Sequence, residues 1–322
     1  MLTAVPAGTL VAIGGAEDKL GRKPVLRRFV ELAGGTGARI VVCATASALG
    51  DEITRLYEST FARLEVADVV SVRPQTRAEA DDPAAAAAVD AATAVFMTGG
   101  NQLKLSSVVT GTRFGDAIAA AYRRGAVIGG TSAGASALSE HMVAFGASGA
   151  TPKNRISQLA RGLGLWPGVI VDQHFSQRNR YGRLLSLVAQ NPSLLGLGID
   201  EDTAAVVSGG RFLEVIGRGS VFVCDGRAAV TNSAAATRTS PLLVSGAVVH
   251  ALPVGSSFDL VEVALIGFEE PGSQLGPADL AAGDLGSGPV ARRVAAEGAD
   301  DAVVARNARR RQRRATAQDD DL

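Results

Sequence analysis

The chain has 322 residues, 47% of them hydrophobic, and 32 acidic side chains balance 32 basic ones. This suits one large or two small globular domains with ample material for a core, and a formal net charge of zero leaves no general field to draw in nucleic acid. No apolar run reaches the roughly 18 residues that span a bilayer, and no charged leader precedes one. No membrane association is therefore expected, and residence in the cytoplasm is.

Cys43 and Cys224 each sit inside an apolar run. They read as buried thiols, not as a disulfide framework or a metal site.

In chain order, residues 10–13 form a short apolar run that ends at Gly14-Gly15, followed by a helical pattern through Val25, Leu26, Phe29 and Val30. Residues 39–44 make a second strand, and Ile53, Leu56, Tyr57, Thr60, Phe61 and Leu64 then repeat at the spacing of one buried helical stripe. Residues 68–72 make a third strand, and a helix opening at Pro83 follows. Strand 94–97 runs into Thr98-Gly99-Gly100-Asn101-Gln102, a helical start at Leu103, and a further helix over 117–124. Strand and helix alternate with short connections, which predicts a parallel sheet covered on both faces, a three-layer α/β sandwich.

The apolar run 126–128 breaks into Gly130-Thr131-Ser132-Ala133-Gly134, a G-x-S-x-G pattern. A strand feeding a glycine-permitted turn and then a helix presents the central hydroxyl at the tip of a parallel sheet, so Ser132 is a candidate nucleophile. Helix is expected to about Leu138, then a glycine-rich loop over 146–168 and a strand over 169–171 leading into Asp172-Gln173-His174-Phe175. A helix through Tyr181, Leu184, Leu185 and Val188 stops at Asn191-Pro192. Short runs at 195–200, 204–207, 212–216 and 220–224, separated by glycine turns, predict an antiparallel meander in the C-terminal half. Two more strands are expected at 244–250 and 258–265. From 269 the composition is that of a mobile tail, with a weak helix near 291–308. The domain division expected is thus 1–268 and 269–322.

A serine hydroxyl attacks only when a positioned base takes its proton and a third group orients that base. The histidines are His141, His174 and His250. His174 follows an apolar run near a strand's carboxyl end, the edge where open α/β sheets gather their sites. For the orienting acid, Asp200-Glu201-Asp202 offers three carboxylates in succession; strand alternation would send Asp200 and Asp202 to one face and Glu201 to the other, and spacing alone does not choose between them. Ala133, the residue after the nucleophile, and Gly99-Gly100-Asn101 at the end of the neighbouring strand are candidate N–H donors to an oxyanion. Arg178, Arg180 and Arg183, just past His174, suit an anionic substrate.

Two patterns are set aside. Gly14-Gly15-Ala16-Glu17-Asp18-Lys19 lacks the Gly-Lys-Ser/Thr ending of a phosphate loop. The arginines from Arg306 to Arg314, beside Asp319, Asp320 and Asp321, read as a solvated end.

Together, residues 14–19, 98–102, 129–135, Asp172-Gln173-His174-Phe175 with the three arginines, and 198–203 resemble the cyanophycinase family over about residues 8 to 268. These are serine peptidases related to the aspartyl dipeptidases, on a scaffold like that of class I glutamine amidotransferases. The resemblance implies cleavage of cyanophycin, a polyaspartate backbone with arginine on each side-chain carboxyl, to β-aspartyl-arginine. It implies Ser132 as nucleophile, His174 as base and Glu201 as orienting acid, with Gln102, Asp172, Gln173, Arg178, Arg180 and Arg183 lining the substrate pocket. It also implies a homodimer and neither metal nor other cofactor. Two rival expectations remain: a dipeptidase or amidase on small aspartyl compounds, and a non-catalytic aspartyl-arginine binding protein.

Overall fold

The computed structural model describes residues 8–270 and 273–275. Residues 8–270 belong to one compact unit, Met1–Pro271. Ser273–Leu275 is a short strand of the remainder. The helix expected near 291–308 and nearly all of the expected tail lie outside the described residues.

The first half alternates as the periodicity predicts. In order come β1 (Thr9–Ile13), α1 (Pro24–Leu32), β2 (Arg39–Cys43), α2 (Asp51–Ala62), β3 (Asp68–Val72), α3 (Arg77–Ala80) and α4 (Pro83–Asp90). Then follow β4 (Ala94–Met97), α5 (Gln102–Val109), α6 (Arg113–Arg123), β5 (Val127–Thr131) and α7 (Ala133–Leu138). Strands β1, β5, β4, β2 and β3 lie side by side, all parallel. Both faces of β1, β5, β4 and β2 are covered, so these strands are mostly apolar and their residues divide alternately between two cores, whereas β3 at the edge is only partly buried. Leu10, Ala12, Val41, Cys43, Val95 and Met97 face one core; Val11, Ile13, Ile40, Val42, Ala94 and Phe96 face the other. The second core is anchored by Phe29, Tyr57, Phe61 and Phe96, among which five ring pairs have centroids 4.9 to 6.2 Å apart. Each buried aromatic of this kind contributes on the order of 2 kcal/mol.

The second half contains β6 (His141–Gly146), β7 (Ser157–Arg161), β8 (Val169–Gln173), α8 (Tyr181–Gln190), β9 (Leu195–Ile199), β10 (Thr203–Ser208), β11 (Phe212–Gly217) and β12 (Ser220–Asp225). It continues with β13 (Val230–Thr231), β14 (Val244–Ser245), β15 (Val248–Pro253), β16 (Ser256–Asp259) and β17 (Ala264–Glu270). Three expectations change here. The two strands expected at 244–250 and 258–265 are four, β14, β15, β16 and β17, with breaks at 246–247 and 260–263. The loop expected over 146–168 contains a strand, β7, which pairs antiparallel with β6; the pairing is irregular between Val143 and Phe145, so neither strand shows clean alternation in sequence. The expected single meander is divided between two sheets. Strands β10, β11, β16 and β17 extend the main sheet antiparallel from β1. Strand β9 instead pairs parallel with β8 and antiparallel with β12, which β15 flanks. The cause is a turn at residues 200–202, with Asp202 at φ 49°, that carries the chain from one sheet to the other.

Candidate active site

Ser132 stands between the last residue of β5 and the first of α7, with φ 52° and ψ −108°. A non-glycine residue there is strained, and the surrounding structure has to impose the conformation. It does so with backbone and small residues. The Ser132 N–H donates to Ile13 O at 3.0 Å, and Ser132 O accepts from Ser136 N at 3.1 Å, opening the helix. A Cβ on Gly130 would fall 2.3 Å from Gly134 C, and one on Gly134 would fall 2.3 Å from Met97 O. Both glycines of G-x-S-x-G are thus needed for the helix to back onto the sheet, which leaves the hydroxyl at its carboxyl edge.

His174 leaves the end of β8 with φ 47°, and its N–H donates to Gly14 O at 2.7 Å. That bond brings the second sheet to the carboxyl edge of the first. Nε2 lies 2.9 Å from Ser132 Oγ, and Nδ1 lies 2.6 Å from Glu201 Oε1. With Glu201 ionised, Nδ1–H donates to the carboxylate and Nε2 keeps the lone pair that can accept the serine proton. Burial is the main influence on the imidazole and pushes its pKa below the ordinary 6.5; Arg178 and Arg180 act in the same direction, and Glu201 opposes them. The ring is therefore held neutral, as a base requires.

The acidic stretch is a turn, not a continuation of the strand, so alternation does not govern it and its three carboxylates take separate partners. Asp200 accepts from Ser176 N at 2.9 Å, Ser176 Oγ at 2.6 Å and Ser220 N at 3.2 Å. Asp202 accepts from Asp18 N at 2.9 Å. Glu201 alone meets His174; its own N–H donates to Gln177 Oε1 at 3.0 Å.

Around Ser132 the remaining expected site residues divide. Gly99 borders it: a Cβ there would lie 3.4 Å from Ser132 Cβ. Gly100 has φ 140° and no space for a side chain, since a Cβ would fall 2.1 Å from Ala46 O. Ala133 begins α7, so its N–H is one of the donors a helix leaves without an internal partner. Asn101 differs from the expectation. Its N–H donates to Ala46 O at 2.8 Å, and its side chain caps α5 through Lys104 N at 3.1 Å. Its backbone N–H and side-chain oxygen are committed to structure, so that backbone N–H is not free for an oxyanion.

The pocket residues expected from the resemblance also divide. Asp172 is fully buried and is engaged by Arg183, with Nε 2.6 Å from Oδ2, and by Arg180 at 3.4 Å. Arg180 also donates to Gln173 Oε1 at 3.0 Å, and burial pushes its pKa down to about 10. Ser132 Oγ lies 3.4 Å from the same Gln173 oxygen. Gln102 donates to Val143 O and Ala144 O at 3.1 and 2.6 Å, tying α5 to β6. Arg178 is exposed beside His174. The other histidines lie apart: His141 is exposed at the start of β6, and the His250 ring packs on Phe258 at 4.8 Å. Cys43 and Cys224 are buried free thiols, as expected.

Residues 10–215, which include Ser132, His174 and Glu201, match the model of peptidase family S51. The chain belongs to that family. Among its relatives, the cyanophycinase of Geminocystis herdmanii is 40% identical over 253 residues, 78% of this chain and 93% of that protein. The cyanophycinase of Trichormus variabilis is 39% identical over 259 residues, 79% and 86% of the respective chains. Among solved structures, a peptidase from an acI-B1 actinobacterium has the same mixed α/β fold, with a TM-score of 0.56 at 21% identity over 77% of this chain and 98% of that one.

In this S51 peptidase the loop after β1 matters more than its sequence suggests. Gly14 O holds the His174 backbone, Gly15 O accepts from Asp202 N at 2.8 Å, and Asp18 N reaches the Asp202 side chain. The Asp18 carboxylate in turn caps Leu20, Gly21 and Lys23 N–H groups at 3.0, 2.7 and 2.9 Å, which pulls its pKa down to about 2. The available signal was a strand ending in Gly14-Gly15 at the same sheet edge as Ser132.

Proposed function

We propose that this peptidase hydrolyses cyanophycin, releasing β-aspartyl-arginine through an acyl-enzyme on Ser132. The observation that supports this most is the unbroken line from Ser132 Oγ through His174 to Glu201, at 2.9 and 2.6 Å, in a chain 40% identical to a cyanophycinase over 78% of its own length and 93% of that protein's.

Ser132 attacks the backbone amide carbonyl while His174 Nε2 takes the hydroxyl proton; Glu201 holds the ring and steadies the imidazolium. The developing oxyanion lies against the Ala133 N–H and a backbone N–H of the Gly99-Gly100 turn. His174 then gives the proton to the leaving amine, and water, deprotonated by the same nitrogen, releases the acyl group. Arg178, exposed beside the base, meets the substrate's carboxylate. Arg180 and Arg183, locked on Asp172, set the wall behind it together with Gln173. Gln102 holds the rim formed by β6.

The reading includes a peptidase domain over 1–268 on a scaffold of the class I glutamine amidotransferase kind, with 269–322 as an appended tail. It also includes a cytoplasmic homodimer, which light scattering of the purified protein tests. Activity is tested by incubating the protein with cyanophycin granules and chromatographing the products. β-Aspartyl-arginine is expected from the wild type and none from Ser132→Ala. Cleavage of aspartyl dipeptides with no attack on the polymer would point to a small-substrate dipeptidase, and binding without turnover to a non-catalytic binder.

A further inference from the structure

Glu17 is a glutamate whose side chain is 1% exposed, in the loop between β1 and α1, and the acyl-transfer chemistry above does not use it. Burying a carboxylate is costly unless it is fully paired, and here it is. Oε2 accepts from Thr131 Oγ1 at 2.6 Å. Oε1 accepts from Tyr57 Oη at 2.5 Å, and Lys19 Nζ lies 3.0 Å from the same oxygen. Burial, together with the Glu17 charge, raises the Tyr57 pKa well above its ordinary value, so the phenol stays a donor.

Thr131 is the last residue of β5, and the next residue is Ser132 in its strained conformation. Glu17 lies two residues after Gly15, in the loop whose Gly14 carbonyl fixes the His174 backbone. The bond between Thr131 and Glu17 therefore fastens the serine's strand to the loop that holds the histidine's backbone. We propose that Glu17 is a positioning residue that acts through Thr131 to hold Ser132 Oγ at the distance from His174 Nε2 that proton transfer needs.

A small displacement of a nucleophile from its base slows attack steeply and leaves substrate affinity alone. Thr131→Val keeps the shape of the side chain and removes the hydroxyl; Thr131→Ser keeps the hydroxyl. On a short synthetic cyanophycin oligomer, Thr131→Val and Glu17→Gln are expected to lower kcat about tenfold with KM within about twofold. Thr131→Ser is expected to restore most of kcat, and the rate of labelling by a fluorophosphonate probe should follow the same order. The His174-dependent acid limb of the pH profile should not move, because the bond to Glu201 is untouched. Equal, wild-type kcat and labelling in Thr131→Val and Thr131→Ser, with only the melting temperature changed, would overturn the proposal. That pair decides the matter even if Glu17→Gln does not fold. The inference rests on Ser132 being the nucleophile, and that premise fails separately: labelling or turnover surviving in Ser132→Ala would remove it whatever the Thr131 variants do.

Discussion

Gly15 lies so close to the imidazole of His174 that a Cβ on it would fall 2.3 Å from Cε1 and 2.5 Å from Nε2. Its φ of 103° also belongs to a region that side chains disfavour. Gly15→Ala should therefore push the ring off Ser132 before it disturbs the sheet. A loss of about a hundredfold or more in kcat/KM is expected, with a circular-dichroism spectrum like the wild type's. An active Gly15→Ala enzyme would mean the ring has space it does not have here.

The pH profile follows from which form of His174 works. In the proposed mechanism the neutral ring is the base, and its pKa is depressed below 6.5, by burial first and by Arg178 among the charges. The acid limb of kcat/KM is thus expected below pH 6.5. Arg178→Met removes a positive charge that disfavours the imidazolium, so the limb should move to higher pH. Glu201→Gln removes the charge that favours it, so the limb should move lower, while kcat drops by about three to four orders of magnitude as the ring loses its orienting partner. Profiles of the three proteins test all three signs.

Asp172 sits among guanidinium groups and not at the surface of a pocket. Asp172→Asn leaves Arg183 and Arg180 buried without their counter-ion, a change expected to cost about 3–5 kcal/mol. Thermal denaturation should show a melting temperature lower by roughly 10 °C. A substitution that raised KM at unchanged stability would instead make Asp172 a direct substrate contact.

The parallel half of the fold is legible because its inner strands are largely apolar on both faces and its longer helices carry one stripe, as β2 and α2 illustrate. The elbow is legible for a related reason: Gly130 and Gly134 announce close packing that few other arrangements require. The partner of His174 was not legible from spacing. Glu201 is chosen by a turn, and alternation has no meaning in a turn; the family resemblance pointed to it, and the geometry gives the physical reason. Asn101 is ambiguous in sequence, since a polar residue after Gly99-Gly100 is equally suited to receiving an oxyanion and to capping α5, and its side-chain oxygen does cap α5. The division of β9 and β10 between two sheets turns on a single left-handed residue, Asp202, a conformation its sequence does not signal.

The loop after β1 touches His174, the turn bearing Glu201 and Thr131, the residue before Ser132, although it is made among the first residues of the chain. Strand β1 itself is flanked by β5 on one side and by β10 on the other. Such distant partners meet late in folding, because the entropy of closing long stretches of chain has to be overcome first. A growing polypeptide holds Gly14 and Gly15 long before His174 or Glu201 exists. On the proposed mechanism, hydrolytic power thus needs the chain at least as far as the turn bearing Glu201, and shorter chains lack it.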